Sequence, residues 1–228
     1  MPVYVVFEGT TRSDQLQSPH LGKQPGLIEE INYGNQSPND SMLLSSWMNE
    51  ETLVAWQILP IHLRIEKAGR EKGFSSYRII VGWEEEVPLP KARTSKPGHY
   101  MVLYQHPKIS EHTLEPWQES IQMPVESILL DDVDSSSLLK RLLDHSLWLT
   151  ETHILHVSGW PDAALAEGFE HSIKRVPGNW LHGIAVDRDY TGQDKDEAPR
   201  KTEPDDDIRL LYKQDKQDGG SRLVLFAI

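Results

Sequence analysis

The chain has 228 residues, of which 38% are hydrophobic and seven are tryptophan, so it can bury the core of one large domain or of two small ones. Acidic residues outnumber basic ones by 35 to 23, and the net charge of −12 disfavours nucleic acids and anionic membrane surfaces, which bind clustered lysine and arginine. The absence of cysteine excludes disulfides, thiolate metal sites and cysteine nucleophiles. A small, largely neutral ligand is the partner that this composition favours.

The N-terminal part contains two candidate strands. Residues 3–8 form a β-branched and aromatic run between Pro2 and Gly9, and residues 27–33 form a second such run. No apolar run reaches the ~18 residues that a membrane span needs, and the first ten residues lack the basic start and the cleavage site of a signal peptide. We therefore expect a cytoplasmic protein with no membrane partner.

Two helices are predicted next. Residues 37–48 open with capping residues before an apolar run, which predicts a short helix. Residues 49–73 begin with two glutamates, where a helix dipole favours carboxylates, and continue with apolar residues at the spacing of one buried face. These apolar residues are Leu53, Trp56, Leu59 and Leu63. Pro60 predicts a kink because proline removes a helix hydrogen bond, and Gly73 predicts the helix end before a strand over 74–81.

The rest of the chain alternates between predicted strands and helices. Residues 84–98 contain three prolines and both charge signs, which predicts a loop that can act as a lid. Residues 135–149 carry leucines on a wide apolar face, which predicts a core helix, and the acidic residues 187–207 predict a mobile excursion. Further predicted strands cover 99–106, 152–160, 180–187, 208–214 and 222–228, and further predicted helices cover 115–123 and 161–175.

Residues 49–106 carry a pattern of motifs on one helix and two strands. The helix has Trp56 and His62 six positions apart, with Gln57 after the tryptophan, and Tyr77 and Arg78 lie on the strand that follows Gly-Phe. The next strand reads HYMVLYQH. This pattern resembles the EthD-like branch of the dimeric α+β barrel superfamily, whose helix carries Trp-Tyr-x-x-x-His and whose strands carry Gly-Phe-x-x-x-Arg-Tyr and Tyr-Leu-Ala-Leu-Tyr. The resemblance covers residues 49 to about 123.

A second, shorter pattern occurs in the C-terminal part. Glu170 and His171, followed by Val-Pro-Gly-Asn-Trp at 176–180, are similar to the Glu-His…Val-Pro-Gly-Trp run of EthD-like repeats, shortened by two residues. Ala166 stands where that repeat keeps its tryptophan. The sequence therefore predicts an internal repeat whose second copy is degenerate.

The resemblance implies an α+β fold built from two ferredoxin-like halves, residues 1–128 and residues 129–228. In the family two such halves form a dimeric α+β barrel with antiparallel sheets, and here both halves would lie in one chain. Either 3–8 or 27–33 can serve as the strand that precedes the motif helix, and the sequence leaves both open.

The resemblance also implies a cavity that binds aromatic or polyketide-like molecules, often without a metal or a flavin. His62 is the candidate general base, because imidazole titrates near neutral pH and the family's helix points its histidine at the cavity. Tyr77 and Tyr100 lie on adjacent predicted strands and are candidates to donate a hydrogen bond to a substrate carbonyl. The candidate substrate-binding residues are Trp56, Arg78 and His171.

Metal and cofactor signatures are missing from the sequence. His153 and His156 are three apart on a predicted strand, which places them on opposite faces, and no His-Glu-x-x-His helix occurs. Gly-x-Ser-x-Gly, the P-loop and Gly-x-Gly-x-x-Gly are absent too. We therefore expect no metal and no cofactor.

The expected function is a cofactor-independent lyase, cyclase or isomerase that acts by acid/base catalysis, in a barrel cavity, on a polyketide-like or aromatic natural-product intermediate. The expected partner is thus a hydrophobic or aromatic small molecule. Cofactorless monooxygenation is a close alternative, and a non-catalytic binding or scaffold protein is another. In that case His62 is a satisfied structural histidine, the two tyrosines are packing residues and Arg78 is an ion-pair partner. The expected assembly is a monomer or a homodimer, with no nucleic acid bound.

Overall fold

A computed structural model describes residues 1–12, 22–34, 37–84, 99–108, 141–172 and 178–192. The segments predicted as helix at 115–123, as loop at 85–98 and as strands at 208–214 and 222–228 lie outside the described residues. The described residues fall into two compact units, Met1–Val81 with residues 188–192, and Gly82–Asp187.

Three strands of the first unit form an antiparallel sheet. β1 (Val3–Thr11) and β2 (Leu27–Gly34) both pair with β3 (Asp40–Trp47), which lies between them. Leu44 at the centre of β3 faces one residue of each neighbour and is almost fully buried. Both N-terminal segments predicted as strands are confirmed.

The helix predicted over 37–48 is wrong, because β3 occupies most of this segment. Its polar residues form a turn in which the backbone N–H of Asp40 donates to the carbonyl oxygen of Ser37 at 3.1 Å. Turns and helix caps use the same residue types, so capping residues alone do not identify a helix. Residues 42–47 are all buried, so the side chains on both faces of β3 are covered, and the alternation that marks a half-exposed strand is missing.

The predicted helix at 49–73 is present but divided at Pro60. α1 (Glu50–Gln57) is capped by Asn49, whose side-chain oxygen accepts the backbone N–H of Thr52 at 3.0 Å. Pro60 opens a new helix, α2 (Pro60–Ala68), and so stands at the first helical position, where its missing N–H costs nothing.

The division changes which residues of this segment are buried. A single π-type turn, Gly69–Gly73, leads from α2 into β4 (Phe74–Glu84), which confirms the predicted strand. The expectation of one buried face holds for Leu53, which is fully buried, and is wrong for Leu63, which is 39% exposed. The second helix begins with its own orientation, so the spacing counted across Pro60 does not describe one face.

Four strands of the second unit are antiparallel neighbours. β7 (His153–Trp160) pairs with β6 (Asp144–Leu149) on one side and with β5 (Tyr100–Pro107) on the other. β8 (Trp180–Thr191) pairs with the free side of β5 through residues 180–185. The strands predicted at 99–106, 152–160 and 180–187 are confirmed.

Two predictions in this part of the chain are corrected. The helix predicted over 135–149 is wrong for 144–149, which form β6, and residues 135–140 lie outside the described residues. Four leucines of the predicted helical face, at positions 138, 139, 142 and 143, precede β6, so their spacing does not describe the strand. β8 also continues through Thr191, so the excursion predicted from residue 187 does not begin there.

α3 (Ala163–Ser172) packs against β5 and β7 and forms the core of the second unit. This core contains Val102, Tyr104, Trp160, Ala166 and Phe169, each at most 4% exposed. The helices pack beside strands whose pairings described above are all antiparallel, which confirms the predicted α+β class with antiparallel sheets. The division of the chain into halves at residues 128 and 129 stays a prediction.

A strand-to-helix junction recurs in the two units. In the first, the indole N–H of Trp47 donates to the hydroxyl of Ser45 at 3.1 Å, and Asn49 caps α1. In the second, the indole N–H of Trp160 donates to the hydroxyl of Ser158 at 3.0 Å, and Leu165 donates its backbone N–H to the side chain of Asp162 at 2.9 Å. We call this arrangement, Ser-x-Trp-x-Asn or Ser-x-Trp-x-Asp before a helix, the Ser-x-Trp junction.

In both units an aromatic ring of the helix packs against the tryptophan of the Ser-x-Trp junction. Trp56 of α1 lies 5.3 Å from the ring of Trp47, and Phe169 of α3 lies 4.8 Å from the ring of Trp160. By its position relative to the strand end, Phe169 therefore corresponds to Trp56. The assignment of Ala166 to the tryptophan position of the family's repeat stays a prediction.

Candidate functional site

His62 is held in place by two contacts inside the first unit. Its Nδ1 atom donates to the carbonyl oxygen of Gln57 at 2.9 Å, and its ring centroid lies 3.8 Å from that of Trp56. Gln57 is the last residue of α1, so its carbonyl has no partner further along that helix. The imidazole thus contributes to closing the end of α1.

The contact with Gln57 also fixes the tautomer of a neutral His62. A carbonyl oxygen only accepts hydrogen bonds, so the proton lies on Nδ1 and the lone pair lies on Nε2. This is the tautomer in which a neutral histidine can take a proton through Nε2. The arrangement therefore fits a structural role and a general base equally well.

The two candidate tyrosines belong to different units. Tyr77 lies beside Phe7 and Phe74, with ring centroids 6.0 and 6.3 Å away, in the first unit. Tyr100 belongs to the second unit, where it packs against the core under α3. The structure brings Trp56 to His62 and gives both tyrosines aromatic or apolar neighbours.

Arg78 and His171 have contacts within the protein. The guanidinium of Arg78 donates two hydrogen bonds to the carboxylate of Asp189, at 2.8 and 2.7 Å. The exposed His171 donates through Nδ1 to the carbonyl oxygen of Glu167 one turn earlier in α3, at 2.8 Å. A substrate-binding role for Arg78 stays a prediction and requires a ligand that competes with Asp189.

Three histidines on adjacent strands form a continuous contact that the sequence interpretation missed. His156 on β7 lies between His106 on β5 and His145 on β6, and each gap between ring nitrogens measures 3.3 Å. His156 and His106 are buried, at 4% and 7% exposure, and His145 is half-buried. We call these three residues the histidine row.

The surroundings of the histidine row favour neutral rings. Burial lowers the pKa of all three side chains, and the lowering is largest for His156, which also faces His145 and His106. The ring of Tyr104 lies 5.4 Å from that of His106 and 5.9 Å from that of His156, and burial raises the pKa of its phenol. Burial and the mutual contacts of the row therefore favour the uncharged form of these imidazoles.

The strand register is the observation that would have identified the histidine row, because it pairs residues that are far apart in sequence. His156 faces Tyr104 on β5 and Leu147 on β6, so His106 and His145 are its diagonal neighbours on one face. The earlier comparison of His153 with His156 tested spacing along one strand only. Their placement on opposite faces agrees with the partners found for His156.

A carboxylate–histidine pair was also missed. Nδ1 of His182 on β8 lies 2.5 Å from a carboxylate oxygen of Glu84 at the end of β4, and both side chains are about one third exposed. The ring of Trp180 lies 4.9 Å from that of His182. A carboxylate that holds Nδ1–H places the lone pair of a neutral ring on Nε2.

Metal ligation and membrane insertion find no support in the part of the chain that the structure describes. There, no three histidine, aspartate or glutamate side chains converge with the geometry of a metal site. Within the same residues, no helix is both long enough and apolar enough to cross a bilayer.

Comparison by sequence finds no matching protein family and no matching curated protein. Comparison with solved structures finds an aldoxime dehydratase in complex with butyraldoxime, 9% identical, with 83% of this chain and 82% of that chain covered and a TM-score of 0.42. A second aldoxime dehydratase is 8% identical, with 81% of each chain covered and a TM-score of 0.37. An anthrone oxidase-like protein is 11% identical, with coverage of 87% and 97% and a TM-score of 0.29. Identities and scores of this size transfer no activity to this chain.

Proposed function

We propose that this protein is a small-molecule enzyme in which His62 moves a proton without a metal or a flavin. The observation that supports the proposal is the bond from His62 to the carbonyl oxygen of Gln57, because it holds a neutral imidazole with its lone pair on Nε2. Imidazole is suited to take and return protons near neutral pH. The reaction class is a lyase, cyclase or isomerase reaction.

The substrate class that fits is an aromatic or polyketide-like molecule with a carbon acid next to a carbonyl group. Trp56, whose ring centroid lies 3.8 Å from that of His62, offers a flat apolar wall beside the base. In the proposed reaction Nε2 removes the proton from carbon, and the electron pair of the broken C–H bond moves onto the carbonyl oxygen. The same proton is returned to another atom of the product, so no external oxidant is needed.

Four further residues have proposed roles around this reaction. Tyr77 and Tyr100 are proposed as phenol donors to the enolate oxygen, and Arg78 and His171 as substrate-binding residues. The ion pair of Arg78 with Asp189 and the intrahelical bond of His171 are features that substrate would have to displace. Cofactorless monooxygenation is the alternative in the same class, since it begins with the same removal of a proton.

A binding or scaffold protein is the second candidate function. It is favoured by the complete burial of Trp47 and Trp160, which fill the two Ser-x-Trp junctions, and by the contribution of His62 to the end of α1. In that case His62 stabilises the fold and carries no chemistry.

The test compares His62→Ala with His62→Asn. The asparagine amide can still donate to the carbonyl oxygen of Gln57, but it has no basic nitrogen, so it separates the structural role from the chemical one. The assay is hydrogen–deuterium exchange at the carbon next to the carbonyl of α-tetralone, followed by proton NMR, with the melting temperature measured in parallel. We expect both variants to lose turnover by ~10²- to 10⁴-fold while His62→Asn keeps the melting temperature.

The outcomes separate the two candidate functions. Exchange by the wild-type protein that is no faster than in buffer refutes catalysis on this substrate class. If wild type is active and His62→Asn is equally active per folded molecule, then His62 is structural and another residue carries the proton.

A further inference from the structure

The hydrogen bonds of the histidine row have a single direction when the rings are neutral. Nδ1 of His106 lies 2.9 Å from the carbonyl oxygen of Pro107, which only accepts, so the proton of His106 lies on Nδ1 and its Nε2 is an acceptor. Nε2 of His156 must then be the donor across the 3.3 Å gap. That leaves Nδ1 of His156 as the acceptor for Nε2–H of His145.

We propose that the histidine row is a proton relay that carries one proton between Nδ1 of His145 and His106. A proton that binds Nδ1 of His145 makes this ring a cation, which passes its Nε2 proton to Nδ1 of His156. His156 then passes its own Nε2 proton to Nε2 of His106. In each transfer one N–H bond breaks as one forms, so the positive charge crosses three strands and both hydrogen bonds reverse without being lost.

The two ends of the row hold the charge better than its centre does. The carbonyl oxygen of Pro107 accepts from His106 and favours its cation, and the carboxylate of Asp144 does the same for His145. His156 is 4% exposed and faces the other two rings, which disfavours charge on it. Among the described residues, His153 also acts on His106 and disfavours its cation.

The capacity of the relay is one proton. If both end rings became cations, each would have only donors, and His156 would have to accept on both of its nitrogens. An imidazole with no proton is an anion, which a buried site does not hold, so a second proton must break one of the two bonds. Uptake of one proton and of two protons are therefore distinct events.

The sheet itself does not require these histidines, because the first unit has the same local pairing without them. Ser45 faces Glu30 as Ser158 faces His145, and the positions that correspond to His156 and His106 are Leu43 and Gly9. Leucine and glycine at these two positions show that strands with this register pair without imidazoles. Three buried imidazoles cost desolvation that leucine would avoid, which points to a role other than packing.

The relay lies in the second unit and goes beyond the proposed function. It holds if His62 is only structural, and it fails on its own if the tautomers are not those derived above. The test therefore uses the whole chain with ¹⁵N-labelled histidine, whose ring-nitrogen shifts distinguish a protonated nitrogen from a lone pair.

At pH 8 we expect His145 and His156 to carry the proton on Nε2 and His106 to carry it on Nδ1. On acidification we expect the row to take up a single proton, with His106 becoming doubly protonated. His156 should stay neutral and change from the Nε2–H form to the Nδ1–H form. A His156 that keeps its tautomer throughout the uptake, or that becomes a cation itself, overturns the proposal.

Two variants and one metal control complete the test. His156→Leu installs the residue found at the corresponding position of the first unit, and it should make His106 and His145 titrate independently, with two protons taken up. His171→Gln, outside the row, should leave the titration of the row unchanged. Because 3.3 Å also suits two nitrogens on one tetrahedral zinc, equimolar Zn²⁺ is added at pH 8, and tight binding that shifts His106 and His156 overturns the relay. If His156→Leu does not fold, the wild-type tautomers decide the question.

Discussion

The ion pair of Arg78 and Asp189 should couple these two side chains by about 2 kcal/mol. The pair makes two short hydrogen bonds, at 2.8 and 2.7 Å, and its side chains are 27% and 15% exposed. Two unit charges ~4 Å apart attract by about 4 kcal/mol at an effective dielectric constant of about 20, while exposed pairs retain roughly 0–1 kcal/mol. Partial exposure and the cost of ordering both side chains place the expected coupling between these limits.

The measurement is a double-mutant cycle of Arg78→Met and Asp189→Asn, with the free energy of unfolding taken from urea titrations. Each single variant leaves one partly buried charge without its partner. The free energies of unfolding lost by the two single variants should therefore add up to more than the loss in the double variant. Lys67 and Glu71, an exposed ion pair on α2 and the turn after it, provide the control. Their coupling should be about 0.3–0.5 kcal/mol and should vanish in 1 M salt, where the Debye length is only about 3 Å.

A coupling for Arg78 and Asp189 no larger than that of the control pair would refute this reasoning. It would also make the guanidinium available at little cost, which favours the predicted substrate-binding role of Arg78. A coupling near 2 kcal/mol that persists in 1 M salt assigns Arg78 to the fold.

Two further predictions concern the helix caps and the loss of folding stability at alkaline pH. Asn49→Ala and Asp162→Ala should each destabilise by about 1 kcal/mol, seen as a melting-temperature drop of roughly 2–4 °C, whereas Asn49→Asp, which keeps an acceptor for Thr52, should cost much less. Burial raises the pKa of Tyr190 from 10.0 to about 12, so the folded state favours its neutral phenol, and this stability is lost as pH rises from 10 toward 12. Between pH 10 and 11 the free energy of unfolding should fall by about 1 kcal/mol more in wild type than in Tyr190→Phe, and equal slopes would contradict the shift.

The elements that the sequence predicted correctly are those with a local signal. β1, β4 and β7 have β-branched and aromatic runs, and α1 has acidic residues at its start and a polar cap, which act within one turn or one strand. β3 was mistaken for a helix because both of its faces are buried, which removes the alternation of a half-exposed strand. The propensity of its residues does not contain that information.

The candidate site follows the same division. His62 and Trp56 lie on one short stretch of chain and were singled out by the resemblance, whereas their ring contact depends on the break at Pro60 that separates α1 from α2. The histidine row depends on the register of three strands, of which β6 was predicted as helix. Without that strand, no pattern along the chain brings His145 to His156. The pair of Glu84 and His182 joins residues that only the tertiary structure brings together.

The Ser-x-Trp junction means that a buried indole carries its own hydrogen-bond acceptor. The serine hydroxyl lies two residues earlier on the same strand, so extending that strand is enough to bring the two together before any neighbouring strand has paired. Trp148 and Ser146 on β6 repeat the bond at 2.9 Å. A tryptophan supplied in this way can be buried in any strand register without leaving its N–H unsatisfied. A shifted register in these strands is therefore destabilised by poorer shape complementarity and apolar contact. It does not cost the indole hydrogen bonds, which form within one strand.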